Sequence, residues 1–357
     1  MKKKILHIVE AFGGGIFSFL VDLINNTSDE YEIVVAYAMR EQTPENFEEK
    51  FSSNVRFIRV QNFVRSISIK KDIQAFIEIK KIIKEEKPQI IHLHSSKAGF
   101  LGRMATIGTD VKVLYNPHGF SFLMQDCSNL KRCLYWLIEK IGTIKNAIII
   151  GCSQGEYEEA LKISRKAINI NNGINIKELK NIIGDFKREF DINNLTFCTC
   201  GRIGYQKNPK MFNRIAENFP NNKFVWIGDG ELRDELSAPN IEITGWKDRN
   251  EVLKLLNNYD VFLLTSLWEG LPISLLEAMY LEKICLVSNC IGNNNVIKHC
   301  KNGFVCDGVQ EFLDVINEIK NNNFDIRSIK NKQIEDIKKE YNIEIMYKEY
   351  IKIYKEI

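Results

Sequence analysis

The sequence predicts an α/β protein built from two doubly wound parallel sheets, one following the other along the chain. Three observations predict it. Short apolar runs alternate with helix-length segments over most of the chain. Runs without polar alternation suit strands buried on both faces, and the intervening lengths suit the crossovers that parallel strands require. A polar break, Asn171-Asn172-Gly173, interrupts this alternation near the middle. The chain has 357 residues, 45% of them apolar, which is enough for two domains of ordinary size. The boundaries expected are 1–170 and 171–337, with a crevice between two domains of similar size.

In the first half, Ile5–Val9 reads as a buried strand, and Gly13-Gly14-Gly15 turns into a helix near Ile16. Strand-like runs follow at Glu32–Ala38 and Val55–Arg59. A long amphipathic helix over Ile69–Glu86 places Ile69, Ile73, Phe76, Ile79 or Lys80, and Ile83 on one face, and Pro88 stops it. Then come strand Gln89–Leu93, helix Lys97–Gly108, strand Val111–Tyr115, helix Leu130–Ile144 and strand Asn146–Ile150. Beyond the break, strands are expected at Thr196–Cys200, Lys223–Ile227, Ile241–Thr244, Val261–Thr265, Ile284–Ser288 and Phe304–Cys306. Helices at about 208–218, 248–257, 272–281 and 309–320 separate them. The final segment carries Ile343, Met346, Tyr347, Tyr350, Ile353, Tyr354 and Ile357 at helical spacing, a stripe that needs a surface to cover.

Composition narrows the function classes. The net charge is +3, but residues up to Ile170 hold 24 Lys and Arg against 19 Asp and Glu. That excess suits an anionic membrane surface or a phosphorylated acceptor, and equally suits solvated helix faces. Nothing in it calls for nucleic acid. The nine cysteines are odd in number and lack framework spacing, as free thiols in a reducing cytosol would be. Cys198 and Cys200 share a strand face without a second ligand pair and read as core. Lys2-Lys3-Lys4 precedes an apolar run too short for a signal peptide, and no segment reaches the ~18–20 apolar residues of a membrane span. A soluble or peripheral chain is expected.

The stretch Asp260–Leu281 joins a buried strand to a helix through Ser266-Leu267-Trp268-Glu269-Gly270-Leu271, with Pro272 where a first helical turn tolerates proline. Free N–H groups at such a helix start make an anion site. Glu269 and Glu277, two helical turns on, can face one crevice; carboxylates repel phosphate, so they suit hydroxyls of a sugar or ribose. Gly201-Arg202-Ile203-Gly204-Tyr205-Gln206-Lys207-Asn208 follows another strand and offers two fixed cations. Gly13-Gly14-Gly15 allows a close backbone approach to phosphate or sugar, without the G-x-G-x-x-G spacing of nicotinamide binding. His92-Leu93-His94 sets two imidazoles on one strand face; a metal would need a third ligand, so a structural or acceptor-side role is preferred. No D-x-D triplet occurs.

The pair Glu269/Glu277 within S-x-x-E-G-L-P-x-x-L-L-E-A-M resembles the E-x7-E signature of family 4 retaining glycosyltransferases, which have the GT-B fold of two Rossmann-like domains facing a central cleft. Gly201–Asn208 resembles that family's G-R-x5-K-N, and Asn116-Pro117-His118-Gly119 its strand-end H-G. The resemblance spans nearly the whole chain and is strongest over Gly201–Val305. It implies a metal-independent transferase that moves a sugar, with retention, from a UDP- or GDP-linked donor to a hydroxyl acceptor, with no further cofactor. Glu277 would hold the ribose and Glu269 the donor sugar. Arg202, Lys207 and the backbone from Leu271 through Ser274 to Leu275, beside Gly270, would hold the diphosphate. His118 would reach the transferred sugar, and the loop of Gly14 and Gly15 would face donor and acceptor. Trp246, after Gly245, stands where family backbone meets the base, though plain packing explains it equally. Gly228-Asp229-Gly230 would shape the loop beneath the nucleotide. Gly292–Ile297 departs from the commoner pattern, since no acid precedes the isoleucine. The terminal helix would cross back onto the first domain, and the acceptor would be a saccharide or lipid-linked saccharide of bacterial surface polysaccharide, met at the cytosolic membrane face. A nucleotide-sugar 2-epimerase or a non-catalytic nucleotide-sugar-binding subunit are the alternatives.

Overall fold

The computed structural model describes residues 2–40, 42–64, 66–184 and 190–357. The chain forms two compact units, Met1–Asn172 with Ile345–Ile357, and Gly173–Glu344. Each is an α/β unit around one parallel sheet.

The first unit runs β1 (Lys4–Val9), α1 (Gly14–Asn25), β2 (Glu32–Tyr37), β3 (Arg56–Arg59), α2 (Ile69–Glu86), β4 (Ile90–His94), α3 (Ser96–Ala105), β5 (Lys112–Asn116), α4 (Asn129–Gly142), β6 (Ile148–Gly151), α5 (Gln154–Ile163) and β7 (Ala167–Asn169). The strand order is β3-β2-β1-β4-β5-β6-β7, every pair parallel. Leu6, Ile8, Ile91 and Leu93 face a core completed by Ala75 and Ile79 of α2, Ala98 of α3 and Ala160 of α5. The alternate residues His7, His92 and His94 point to the other face, and His7 stands in register with His92.

The second unit runs α6 (Ile176–Ile183), β8 (Phe197–Cys200), α7 (Pro209–Asn218), β9 (Phe224–Ile227), β10 (Ile241–Ile243), α8 (Arg249–Asn257), β11 (Val261–Leu264), α9 (Ile273–Tyr280), β12 (Ile284–Ser288), α10 (Asn293–Val296), β13 (Phe304–Cys306), α11 (Gly308–Lys320) and α12 (Ile326–Glu340). Its sheet is ordered β10-β9-β8-β11-β12-β13. Helix starts follow local chemistry. Asn208 accepts from the Met211 N–H ahead of Pro209, and Asp248 with Glu251 forms a capping box on α8. The last helix, α13 (Ile343–Glu356), belongs from Ile345 onward to the first unit. There Tyr350 and Tyr354 are fully buried and bond Asn116 and His92.

Two features differ from the sequence reading. Helices α5, α6, α10 and α12 and the short strand β7 lie outside the expected elements, although Ile176, Leu179, Ile182 and Ile183 of α6 and Ile326, Ile329 and Ile337 of α12 stand at helical spacing. The stripe assigned to the buried side of α2 is split. Ile79 is buried and Phe76 and Ile83 partly so, whereas Ile69 and Ile73 are exposed. Ala75, Ile79 and Ile82 form the true inner face. Among the described residues, no helix is long and apolar enough to cross a membrane.

Candidate active site

In the second unit, strands β8, β9 and β10 are laid down in one direction, and the chain then returns to place β11 against the other side of β8. Loops leaving the carboxyl ends of β8 and β11 therefore part at a topological switch point, where open α/β sheets bind ligands. The β8 loop carries Arg202 and Lys207, and the β11 loop carries Glu269 and Gly270.

The two loops are stitched together. The Leu267 N–H donates to the Gln206 carbonyl at 2.8 Å, and Thr265 Oγ1 donates to the Lys207 carbonyl at 2.8 Å. The Lys207 ammonium sits 2.8 Å from Glu269 Oε1, which also accepts from Ser266 Oγ at 2.7 Å. Gln206 Nε2 donates to Glu269 Oε2 at 3.3 Å. Glu269 is buried, so its charge is held by Lys207 and two neutral donors rather than by water. Gly228 makes close packing behind this loop possible: at φ +142°, a Cβ there would lie 2.2 Å from the Gly201 carbonyl oxygen.

Helix α9 begins beside this ion pair. No side chain caps it and its first turn has no acid. Leu275 donates its N–H to the Pro272 carbonyl at 3.1 Å, so the expectation that Leu275 offers backbone to an anion is corrected. Among the described residues, the N–H groups of Ile273 and Ser274 have no protein acceptor and remain for one. Glu277, buried on the same helix, is paired by Arg249 Nη1 at 2.8 Å. Burial pushes its carboxyl above the usual range, while Arg249 opposes that shift. Arg202 Nε bonds Glu231 at 2.8 Å in an exposed pair, and Trp246 is half exposed after Gly245 at φ +72°. Ser266, Gln206 and Arg249 escaped the sequence reading; a loop serine and a helix-start arginine carry no periodic signal. In the Asn-rich departure, Asn295 Oδ1 accepts from the Gly292 N–H at 3.0 Å, and Asn293 reaches the Ser288 carbonyl at 3.2 Å. These asparagines brace their own turn.

The remaining expected residues, Gly14, Gly15 and His118, lie in the first unit, where the switch point falls between β1 and β4. Gly14 takes φ +54° at the start of α1, with open space around it and Gly15. His118 follows β5 at φ +53°, and its Nε2 is 3.2 Å from His94 Nδ1. His94 Nε2 in turn lies 3.1 Å from His7 Nδ1. His92 bonds the Asn116 side chain at 2.6 Å and the Tyr354 hydroxyl at 2.7 Å. Burial lowers all four imidazoles: His92 to about 4, His118 to about 3, His7 and His94 well below the ordinary value. They stand as neutral rings sharing hydrogen bonds. His7 also supplies the third imidazole that the sequence reading did not find. Ligand nitrogens of His7, His92 and His94 lie within 4.8 Å of one another, a set that could hold a metal, although both nitrogens of His92 already have partners.

Comparison with known proteins shows the family and the fold. Residues 13–178 match the family model described as Glycosyltransferase Family 4, and residues 183–340 match Glycosyl transferases group 1. The UDP-Gal:alpha-D-GlcNAc-diphosphoundecaprenol alpha-1,3-galactosyltransferase of Escherichia coli is 33% identical over 295 residues, 74% of this chain and 74% of its own length. The chain is a group 1, family 4 glycosyltransferase. Another relative of this glycosyltransferase, from Campylobacter jejuni, is a GalNAc-alpha-(1->4)-GalNAc-alpha-(1->3)-diNAcBac-PP-undecaprenol alpha-1,4-N-acetyl-D-galactosaminyltransferase, 24% identical over 82% of each chain. Among solved structures, HepE of Anabaena in complex with UDP and glucose shares the fold at a TM-score of 0.79 and 15% identity, covering 99% of this chain and 100% of its own. The two-domain GT-B class expected from the sequence is therefore the fold of this family member.

Proposed function

We propose that this glycosyltransferase moves a hexose from a UDP-linked donor to a hydroxyl of a saccharide carried on a polyprenyl diphosphate, with retention at the anomeric carbon and without a metal. The observation that carries the reading is the Lys207–Glu269 pair set beside the uncapped start of α9. As the bond between anomeric carbon and diphosphate breaks, negative charge grows on the leaving oxygen. A cation fixed before the reaction stabilises that charge without reorganising. Glu269 holds the Lys207 ammonium in place, the N–H groups of Ile273 and Ser274 offer donors to phosphate oxygens, and Arg202 adds a planar cation. Glu277, oriented by Arg249, accepts from ribose hydroxyls. His118, kept neutral by burial, offers a hydrogen bond to the sugar rather than a charge.

The donor and acceptor classes rest on the names of the Escherichia coli and Campylobacter jejuni relatives, both of which act on undecaprenyl-diphosphate saccharides. Such an acceptor places the work at the cytosolic face of a membrane. The test is transfer of radiolabel from UDP-galactose, UDP-glucose and UDP-N-acetylhexosamines to a short-chain polyprenyl-diphosphate GlcNAc, with and without EDTA. Acceptor-dependent UDP release that survives EDTA, with an α-linked product, is expected. Epimerised nucleotide-sugar without acceptor, or tight donor binding with no turnover, would overturn the reading.

A further inference from the structure

Helix α4 is built inside out. Its inward face carries Glu139, the helix's only carboxylate, which bonds Arg103 Nη2 at 2.6 Å and accepts from the Tyr115 hydroxyl at 2.7 Å, all three buried. Gly142, on the same face, lies against the Arg103 guanidinium, where a Cβ would come within 2.4 Å. The apolar face points the other way. Leu130, Leu134, Leu137 and Ile141, spaced four, three and four residues apart, form one line along the helix, and Ile144 extends it into the following turn. All five are between 41 and 81% exposed. A helix of a water-soluble surface turns that stripe toward its core; here the core side is occupied by a buried ion pair, and the leucines meet solvent.

The polar residues beside the stripe are cations. Lys131 and Lys140 flank it, with Lys145 just beyond the helix, while Arg132 lies on the far side of the helix; none of the four forms an ion pair among the described residues. Arg132, Lys140 and Lys145 instead donate to the carbonyls of Phe122, Ile163 and Thr109. Trp136 lies partly exposed at the margin. Helix α2 packs with α3, which packs with α4. It adds Ile69, Ile73 and Ile77, each more than half exposed, among Lys70, Lys71, Lys80 and Lys84. An apolar line rimmed by unpaired cations, with a tryptophan at its edge, has the composition of a helix that lies in a lipid headgroup layer.

We propose that the outer face of α4, assisted by the first half of α2, docks this protein on an anionic phospholipid bilayer. Exposed leucines enter the acyl boundary and the lysines meet phosphate headgroups. A second copy of the chain would cover the leucines but would bring the same lysines face to face, so charge favours the anionic surface. The inference deepens the lipid-linked acceptor reading and stands on a surface separate from the transfer site.

The test is flotation of the full chain with phosphatidylglycerol–phosphatidylethanolamine vesicles and with phosphatidylcholine vesicles, at low and high salt. The wild type is expected to float with the anionic vesicles and to lose at least tenfold in binding on phosphatidylcholine. Leu134→Gln/Leu137→Gln/Ile141→Gln removes exposed side chains, keeps the thermal midpoint and loses binding at least tenfold. Lys131→Glu/Lys140→Glu abolishes the preference for anionic lipid. Absence of binding to anionic vesicles, or binding indifferent to both variants, overturns the proposal. So does a wild-type dimer that the leucine variant turns into a monomer without any vesicle binding. Turnover of a detergent-dispersed short-chain acceptor by the leucine variant separates the two readings: activity retained with flotation lost places the face outside catalysis. Flotation without turnover by any protein tested leaves docking supported and sinks the transferase reading alone.

Discussion

At the scale of single residues, the decisive contact is the one between Lys207 and Glu269. Lys207→Ala is expected to lower kcat/KM by about 100- to 1,000-fold, the usual effect of removing one preorganised charge donor. Glu269→Gln keeps the shape but frees the ammonium, and is expected to lower kcat more than it raises KM. Steady-state kinetics on the preferred donor measure both; a loss under tenfold for Lys207→Ala would remove it from the diphosphate site. Arg249 is a positioning residue with a different signature. Arg249→Met leaves Glu277 buried beside no cation, at a cost of about 3 kcal/mol, and Arg249→Met/Glu277→Gln recovers much of that stability. Urea unfolding of both proteins decides it, and equal midpoints would refute the pairing argument. Lys207, Glu269 and Glu277 could be picked from the sequence because strand-loop-helix context and spacing mark them. Gln206 could not, because what selects it is a loop 63 residues further along the chain; Arg249 meets Glu277 from the start of a different helix, and Ser266, in the same loop as Glu269, carries no periodic signal.

At the scale of elements, the polar layer on one face of the first sheet makes a pH prediction. His7, His92 and His94 are buried on β1 and β4, with Asn116 from β5, His118 beyond it, Tyr350 and Tyr354 from α13, and Tyr31 near Tyr354. Glu156 and Cys152 lie near Tyr350. Imidazoles whose folded values are lowered give stability that is full above the unfolded value of about 6.5 and is lost as pH falls below it. For His92 that window ends near 4. Thermal midpoints from pH 8 to 5 should be flat above 6.5 and then fall; His92→Asn should flatten the fall, and no change in slope would refute it. Sequence periodicity found nearly all the strands here, because each is a short unbroken apolar run. It misjudged α2, where isoleucines on the outward face complete a pattern that normally marks the core, and it missed His7, whose neighbours come from β4 and not from adjacent sequence.

At the scale of the whole molecule, two parallel sheets each present a switch point, and the expected site residues fall in two sets, one in each unit. The two-sheet plan was legible because alternation and the polar break are properties of long stretches, robust to errors of a few residues at any one boundary. Which unit α13 completes could not be read from its stripe, since an apolar face does not name its partner. The hydroxyls of Tyr350 and Tyr354 name it, by bonding Asn116 and His92. Deleting the chain after Glu344 is therefore expected to strip hydrogen-exchange protection from β4 and β5, while β8 and β11 keep theirs. Equal loss in both sheets would show the units to be one cooperative body.

That arrangement also sets an order of assembly on the ribosome. The unit made first lacks a covering helix that is synthesised only after the whole of the second unit, so the later-made sheet can finish before the earlier one. Until α13 emerges, the histidine face of the nascent first unit has Phe19 of α1 against it but lacks Tyr350 and Tyr354. This interval is the one in which a chaperone, or a neighbouring nascent chain, has access to it.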